Sequence, residues 1–377
     1  MIRTISLNKK PTTSNTKPLG GRQFSLILCC VLAVLCLPSA ARAKKFEIIA
    51  LPDTENYVDP PSNAWVMVAQ TKWIVAQKKA KNIVFVTQLG DLLHYKPKTE
   101  ILLANAAFDL LNGVVPYSVS QGNHDKSKQF ENHYGEARYK KYDWYGGSFQ
   151  TNNHYQIFPA EGYKFLHLNL QKGPNADVLA WAQKVIDANP GKPTIITTHD
   201  YLDNKNKIVT RTGAGKDIWN GLVKKNRQIF MTISAHKHHT PASAHLLSDN
   251  DAGDPVLQIL ADFEDYKGPS GKTDSGYLSR IIFDTAAKTI SVKTFSPTYK
   301  KRPYLTDKDH QYSFAAEFLK QKKGVARPIG VVAKPAKKSP TAIDKPATVS
   351  PIAIVGLATI SVLAIGGPVL LVRRKRA

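Results

Sequence analysis

Five short segments of this chain place oxygen- and nitrogen-bearing side chains at the end of an apolar run: Asp53-Thr54-Glu55, Gly90-Asp91-Leu92-Leu93-His94, Gly122-Asn123-His124-Asp125, His199-Asp200 and Ala235-His236-Lys237-His238. Taken singly, each has a plain structural reading. Asp91 after a strand can be a turn residue, Asn123 after Gly122 can be only a turn, and His199 can be a satisfied core histidine. Taken together and in order, they read as several strand ends converging on one spot. The set offers carboxylate, amide oxygen and imidazole but no thiol, which suits hard to borderline divalent or trivalent metals such as Mn, Fe and Zn. The set reads as a two-metal hydrolytic site.

The segments need a frame that brings strand ends together. Phe46–Leu51, Ile83–Thr87, Val114–Ser120, Lys164–Leu170, Thr194–Thr198 and Ile229–Ser234 read as strands. Between them, helices are predicted over 101–111, 176–188 and 215–225. Another follows a Ser62-Asn63 cap candidate, with Trp65, Val68, Ala69, Trp73 and Ala76 as its apolar stripe. Val256–Ala261, Tyr277–Phe283 and Thr289–Thr294 add a β-rich end. Such alternation predicts an α/β fold with helices outside and a site beyond the carboxyl ends of the strands. The aromatic-rich stretch Tyr134–Tyr155 has two readings, a loop over the site or a loop packing its own rings.

The ends of the chain are of another kind. Residues 1–43 read as a signal peptide: a basic start, an apolar stretch Phe24–Leu37, and an Ala-x-Ala cleavage site ending at Ala43. All three cysteines, Cys29, Cys30 and Cys36, fall inside that stretch, so residues 44–377 hold neither a disulfide nor a thiolate metal site. Residues 317–350, rich in Lys, Pro and Ala, read as a linker. Residues 351–372 are long and apolar enough to span a bilayer or to act as a surface-sorting signal. The basic tail 373–377 places its end in the cytoplasm. The net charge of +23 lies largely in these segments, and residues 44–316 carry 34 basic against 27 acidic side chains. The charge therefore requires no nucleic-acid partner.

The ordered set Asp…Gly-Asp…Gly-Asn-His-Asp…His…His-x-His resembles the calcineurin-like metallophosphoesterase superfamily across most of residues 46–316. Leu51-Pro52-Asp53-Thr54, Gly276-Tyr277-Leu278 and Thr294-Phe295-Ser296-Pro297 resemble a secreted bacterial branch of it. The resemblance implies a four-layer αββα sandwich over residues 44–316. It implies Asp53 and His238 on a first metal, Asn123, His199 and His236 on a second, and Asp91 bridging both. It also implies a bridging hydroxide as nucleophile, His124 protonating the leaving oxygen and Asp125 orienting His124. Three positions depart from the family pattern. Glu55 stands where a histidine is common, so it is a ligand of the first metal or a supporting residue. His94 stands three residues after Asp91, where purple acid phosphatases carry a tyrosine ligand, so it binds the first metal or substrate. Ala235 replaces the glycine before His-x-His, so the turn there has to avoid a glycine-only conformation.

The sequence thus predicts an exported, membrane-anchored metal-dependent hydrolase of phosphate mono- or diesters, with two ions of Fe, Mn or Zn. The alternative, which Glu55 and Ala235 leave open, is a surface binding module that keeps the fold without catalysis. His133, His154, His167, His239, His245 and His310 lie outside the motifs and read as structural or surface residues.

Overall fold

The computed structural model describes residues 45–268 and 270–316. The predicted signal peptide, linker, membrane span and tail lie outside them. Among the described residues, no helix is long and apolar enough to cross a membrane.

In chain order the elements are β1 (Lys45–Leu51), α1 (Glu55–Val58), α2 (Trp65–Lys81), β2 (Ile83–Gln88), α3 (Pro97–Phe108), β3 (Tyr117–Val119), α4 (Lys128–Tyr134) and α5 (Glu136–Tyr139). There follow β4 (Tyr145–Phe149), β5 (Asn153–Ala160), β6 (Tyr163–Leu170), α6 (Ala176–Asp187), β7 (Thr194–Asp200), β8 (Leu202–Asp203), β9 (Thr210–Arg211), α7 (Gly213–Ile218) and β10 (Ile229–Ala235). The chain closes with β11 (Ser243–Asp249), β12 (Pro255–Ala261), β13 (Leu278–Asp284), β14 (Thr289–Phe295), β15 (Tyr304–Leu305) and β16 (Gln311–Ala315). One sheet runs β15-β14-β13-β1-β2-β3, with β16 also on β14, and the other runs β11-β12-β10-β7-β6-β5-β4. β1, β2 and β3 are mutually parallel, as are β6, β7, β10 and β12.

Alternation along the strands builds the layers. On β1, Phe46, Ile48 and Ala50 enter a core between the sheets, where they meet Phe165, Ile195, Phe230 and Ile233 of the second sheet. Ile49 and Leu51 face the other way, onto Val66, Met67 and Ile74 of α2 and Ile101 and Ala104 of α3. The second sheet does the same with Leu166, Leu168 and Ile196 against Val178, Ala182 and Ile186 of α6. The order is helix, sheet, sheet, helix. Phe85 stacks on Phe158 across the inner layer at 4.5 Å, and each fully buried ring of this kind stabilises by roughly 1.5–3 kcal/mol.

Three local expectations are corrected. The buried stripe of α2 is Val66, Met67, Gln70, Thr71 and Ile74, with the predicted Val68 and Trp73 half-buried against the same core, while Trp65 is 48% exposed. Gln70 can face inward because it donates to the carbonyls of Gly276 and Tyr277, and Thr71 because its hydroxyl is satisfied by the Met67 carbonyl of its own helix. Ser62 and Asn63 lie in a 3-10 turn and do not cap α2, whose cap position is Ala64. The stretch 134–155 holds α5, β4 and the start of β5. Tyr139 packs there against Tyr117, Trp144 and Tyr145, so these rings serve their own packing.

Candidate metal centre

Asp53 follows β1, Asp91 follows β2, Asn123 and His124 follow β3, His199 is the penultimate residue of β7, and His236 follows β10. Close backbone approach sets the register. Gly90 has φ +98°, and a Cβ there would come within 2.7 Å of the His199 ring. Asp91 is itself left-handed at φ 51°, a region that Asp and Asn tolerate better than most residues. A Cβ on Gly122 would lie 2.0 Å from Asp91 Oδ1. Gly122→Ala is therefore expected to push Asp91 out of place and cut bound metal at least about tenfold. Metal analysis with far-ultraviolet circular dichroism checks this, and unchanged metal content would mean that Asp91 is not placed by this contact.

Asp125 does not orient His124 as expected. Its carboxylate is fully buried and accepts from the backbone N–H groups of Gly122, Leu92 and Leu93, at 2.9, 3.1 and 2.9 Å. Asp125 ties the two loops that carry Asp91 and Asn123 to one another. Burial, then Asp91, pushes it up to about 7.

Asp91, His199 and His236 offer ligand atoms within 4.8 Å of one another. His199 Nδ1 lies 2.9 Å from the carbonyl oxygen of Leu89, which fixes the ring and leaves Nε2 2.9 Å from Asp91 Oδ2. His236 is pushed down to about 3 by burial and then by His199, Lys172 and Lys237, so its imidazole is neutral, as a ligand must be. Asn123 joins this group through a residue absent from the sequence-based set. Lys172 Nζ donates to Asn123 Oδ1 at 2.7 Å and lies 2.9 Å from His236 Nε2, placing a positive charge among the donors. The left-handed residue of the last segment is His236 at φ 72°, so Ala235 ends β10 without needing a glycine conformation.

A second group consists of Asp53, Asp262 and Glu264, again with ligand atoms within 4.8 Å of one another and all buried. The sequence-based set lacks the last two. The signal was present: Val256–Ala261 is another apolar run, and Asp262 and Glu264 follow it two apart, while Phe263 between them enters the inter-sheet core. His238, assigned to this metal from the resemblance, stands at the rim. Its side chain is 44% exposed, and Nδ1 lies 2.9 Å from Glu264 Oε1 and 2.7 Å from Asp265 Oδ2. The hydrogen bond to Glu264 pushes His238 up to about 9, against the effect of burial.

Glu55 and His94 gather with His124 in a third group. His94 Nδ1 and His124 Nδ1 lie 3.2 and 3.3 Å from the two oxygens of Glu55, and the imidazole rings stack at 5.1 Å. Glu55 is thus the carboxylate beside His124. Burial, then Glu264, Asp91, Asp125 and Asp262, pushes it up to about 9.

These residues suit a pair of cations. Asp262 Oδ2 is buried without a hydrogen-bond partner among the described residues, which is costly for a group of this polarity. Asp53 is held well above the usual carboxylate range by burial and then by Asp262, Glu264, Asp91 and Glu55. Carboxylates crowd here without enough positive charge among the described side chains to balance them, and bound cations supply it.

An uncharacterized protein of Bacillus subtilis (strain 168), YvnB, is 29% identical over 273 residues, covering 69% of this chain and 20% of that protein. The chain therefore spans about a fifth of that relative's length. Among solved structures, a dimetal phosphatase from Danio rerio aligns over 73% of this chain and 99% of its own, with a TM-score of 0.43 and 11% identity. A purple acid phosphatase from yellow lupin, Lupinus luteus, aligns over 79% and 58%, with a TM-score of 0.43 and 11% identity. Residues 64–243, which include Asp91, Asn123, His124, His199 and His236, match the model of the calcineurin-like phosphoesterase family.

Proposed function

We propose that this chain is a dinuclear-metal phosphoesterase that hydrolyses phosphate mono- or diesters. The observation that carries the reading is the meeting, at the carboxyl ends of strands from both sheets, of the Asp91–His199–His236 group and the Asp53–Asp262–Glu264 group, with His124 beside them. Asp91, His199, His236 and Asn123 would hold one metal, and Asp53 with Asp91 and the neighbouring carboxylates the other. Bound there, the cations supply Lewis acidity toward phosphate oxygens and lower the pKa of water. The chain's own groups do the rest. Asp91 Oδ1 accepts the His124 N–H at 2.8 Å, which fixes the His124 backbone against the carboxylate that both metals would share. Glu55 faces His124 Nδ1, leaving Nε2 to pass a proton to the leaving oxygen. Lys172 adds a fixed positive charge for an anionic substrate.

The reading extends to location. The segments before and after the domain support export through residues 1–43 and attachment through residues 351–372 with their basic tail. The substrate is then a phosphate ester met outside the cytoplasm.

The test is turnover by the metal-reconstituted full chain on aryl phosphate mono- and diesters. His124→Ala is expected to lower kcat by about 10²- to 10⁴-fold while the bound metal stays constant. A metal-loaded protein inert towards mono-, di- and cyclic phosphate esters would reject the enzyme reading in favour of a binding module.

A further inference from the structure

The two donor groups differ in chemistry. Around His199 the donors are two imidazoles, an amide oxygen and the shared carboxylate of Asp91. Around Asp53 the donors are carboxylates alone, from Asp53, Asp262 and Glu264. His238, an imidazole expected there, has Nδ1 turned to Glu264 and Asp265.

We propose that the Asp53 position is an all-oxygen site, in which Asp262 and Glu264 take the ligand role and His238 only supports Glu264, and that it takes a hard divalent cation such as Mn²⁺, Mg²⁺ or Ca²⁺. The two metal positions would then hold different ions. The inference rests on the dinuclear reading above but does not depend on turnover.

Several observations beyond the crowding of acids carry it. Asp262 is fully buried, and its Oδ1 accepts from the Glu264 N–H at 3.2 Å. Its Oδ2 has no hydrogen-bond partner among the described residues, although it sits in a group whose ligand atoms lie within 4.8 Å of one another. An ionisable oxygen left in that state is aimed at something other than a protein donor. Glu264 is held from two sides, by His238 on Oε1 and by Asn56 Nδ2 at 3.4 Å from Oε2, as a ligating carboxylate is held by its outer neighbours. The strand supplies the geometry. Two residues apart after β12, Asp262 and Glu264 emerge on one side while Phe263 anchors the segment in the core. The family match spans residues 64–243, so Asp53, Asp262 and Glu264 all lie outside it, whereas Asp91, Asn123, His199 and His236 lie inside.

Oxygen-only donor sets suit Mg²⁺, Ca²⁺ and Mn²⁺, and imidazole suits Zn²⁺ and iron. The test uses the chelator-stripped full chain, first given one equivalent of Zn²⁺ and then titrated with Ca²⁺ by calorimetry and with Mn²⁺ by electron paramagnetic resonance. One further equivalent of each is expected to bind. Glu264→Gln and Asp262→Asn should each weaken that second binding at least about tenfold and keep the Zn²⁺ equivalent, which also reports that the fold survives. His199→Ala should do the reverse. His238→Ala should weaken Ca²⁺ less than Glu264→Gln does. Unchanged Ca²⁺ and Mn²⁺ binding in Glu264→Gln and Asp262→Asn would overturn the proposal, as would a larger loss in His238→Ala. If Asp262→Asn loses both metals, Glu264→Gln decides. A protein that binds both ions as expected but turns over no phosphate ester would reject the enzyme reading and leave this one standing.

Discussion

Asp91→Asn is expected to lower kcat/KM for an aryl phosphate ester by about a thousandfold or more. The substitution is nearly isosteric, and asparagine tolerates the left-handed φ of 51° about as well as aspartate, so the backbone should stay in place. The N–H of His124, bonded to Asp91 Oδ1 at 2.8 Å, can still find an amide oxygen. What is lost is the negative charge shared between the two donor groups. Metal-borne stabilisation of the transition state amounts to several kcal/mol, and ~4 kcal/mol corresponds to about three decades of rate. The same variant should bind fewer than two metal ions per chain. Kinetics and metal analysis on one preparation check both outcomes. Near-normal turnover with depleted metal would remove Asp91 from the centre of the mechanism.

The reason Asp91 could be singled out from sequence is that its signal is local and repeated. Asp53, Asp91, Asn123, His199 and His236 each follow an apolar run, and parallel strands place such ends on one edge. The α/β class with helices outside followed from the same alternation, and the four-layer order from the family resemblance. Other features depend on partners far apart in the chain. Glu55 lies 69 residues before His124 and could not be recognised as its neighbour from spacing. Asp262 and Glu264 follow an apolar run as the other ligands do, but the family order drew attention to His238 instead. Lys172 follows β6 without any motif around it. The face of α2 was misread because its inward positions include Gln70 and Thr71, polar side chains whose partners are backbone carbonyls that hydropathy does not reveal. Asp125 illustrates the same limit: its type and place suggested an outer partner for His124, yet three backbone N–H groups already hold it.

Stripping the metals should destabilise the protein, and increasingly so as the pH rises. Without cations, burial and mutual repulsion hold Glu55 at about 9 and Asp262 at about 7, and raise Asp53 as well. In the unfolded chain these groups ionise near pH 4. A carboxyl raised in the folded state costs nothing below its unfolded pKa, where both states hold the proton. Stability then falls as pH rises towards the folded pKa, by about 1.4 kcal/mol per pH unit for each group in that window. His238, raised to about 9, acts in the same direction, because its contribution is full below the unfolded histidine value and fades as pH approaches 9. Bound cations reverse the balance, because the ionised carboxylates become ligands and metal binding strengthens as their protons leave. Two ions each present at about a hundred times their dissociation constant add ~5 kcal/mol, which for a domain of this size is on the order of 10 °C in Tm. The gap in Tm between loaded and chelated protein is therefore expected to be small at pH 5 and to reach about that size by pH 8. Thermal melts of both forms across this range measure it. A gap that narrows with rising pH would mean that these carboxylates do not face a metal.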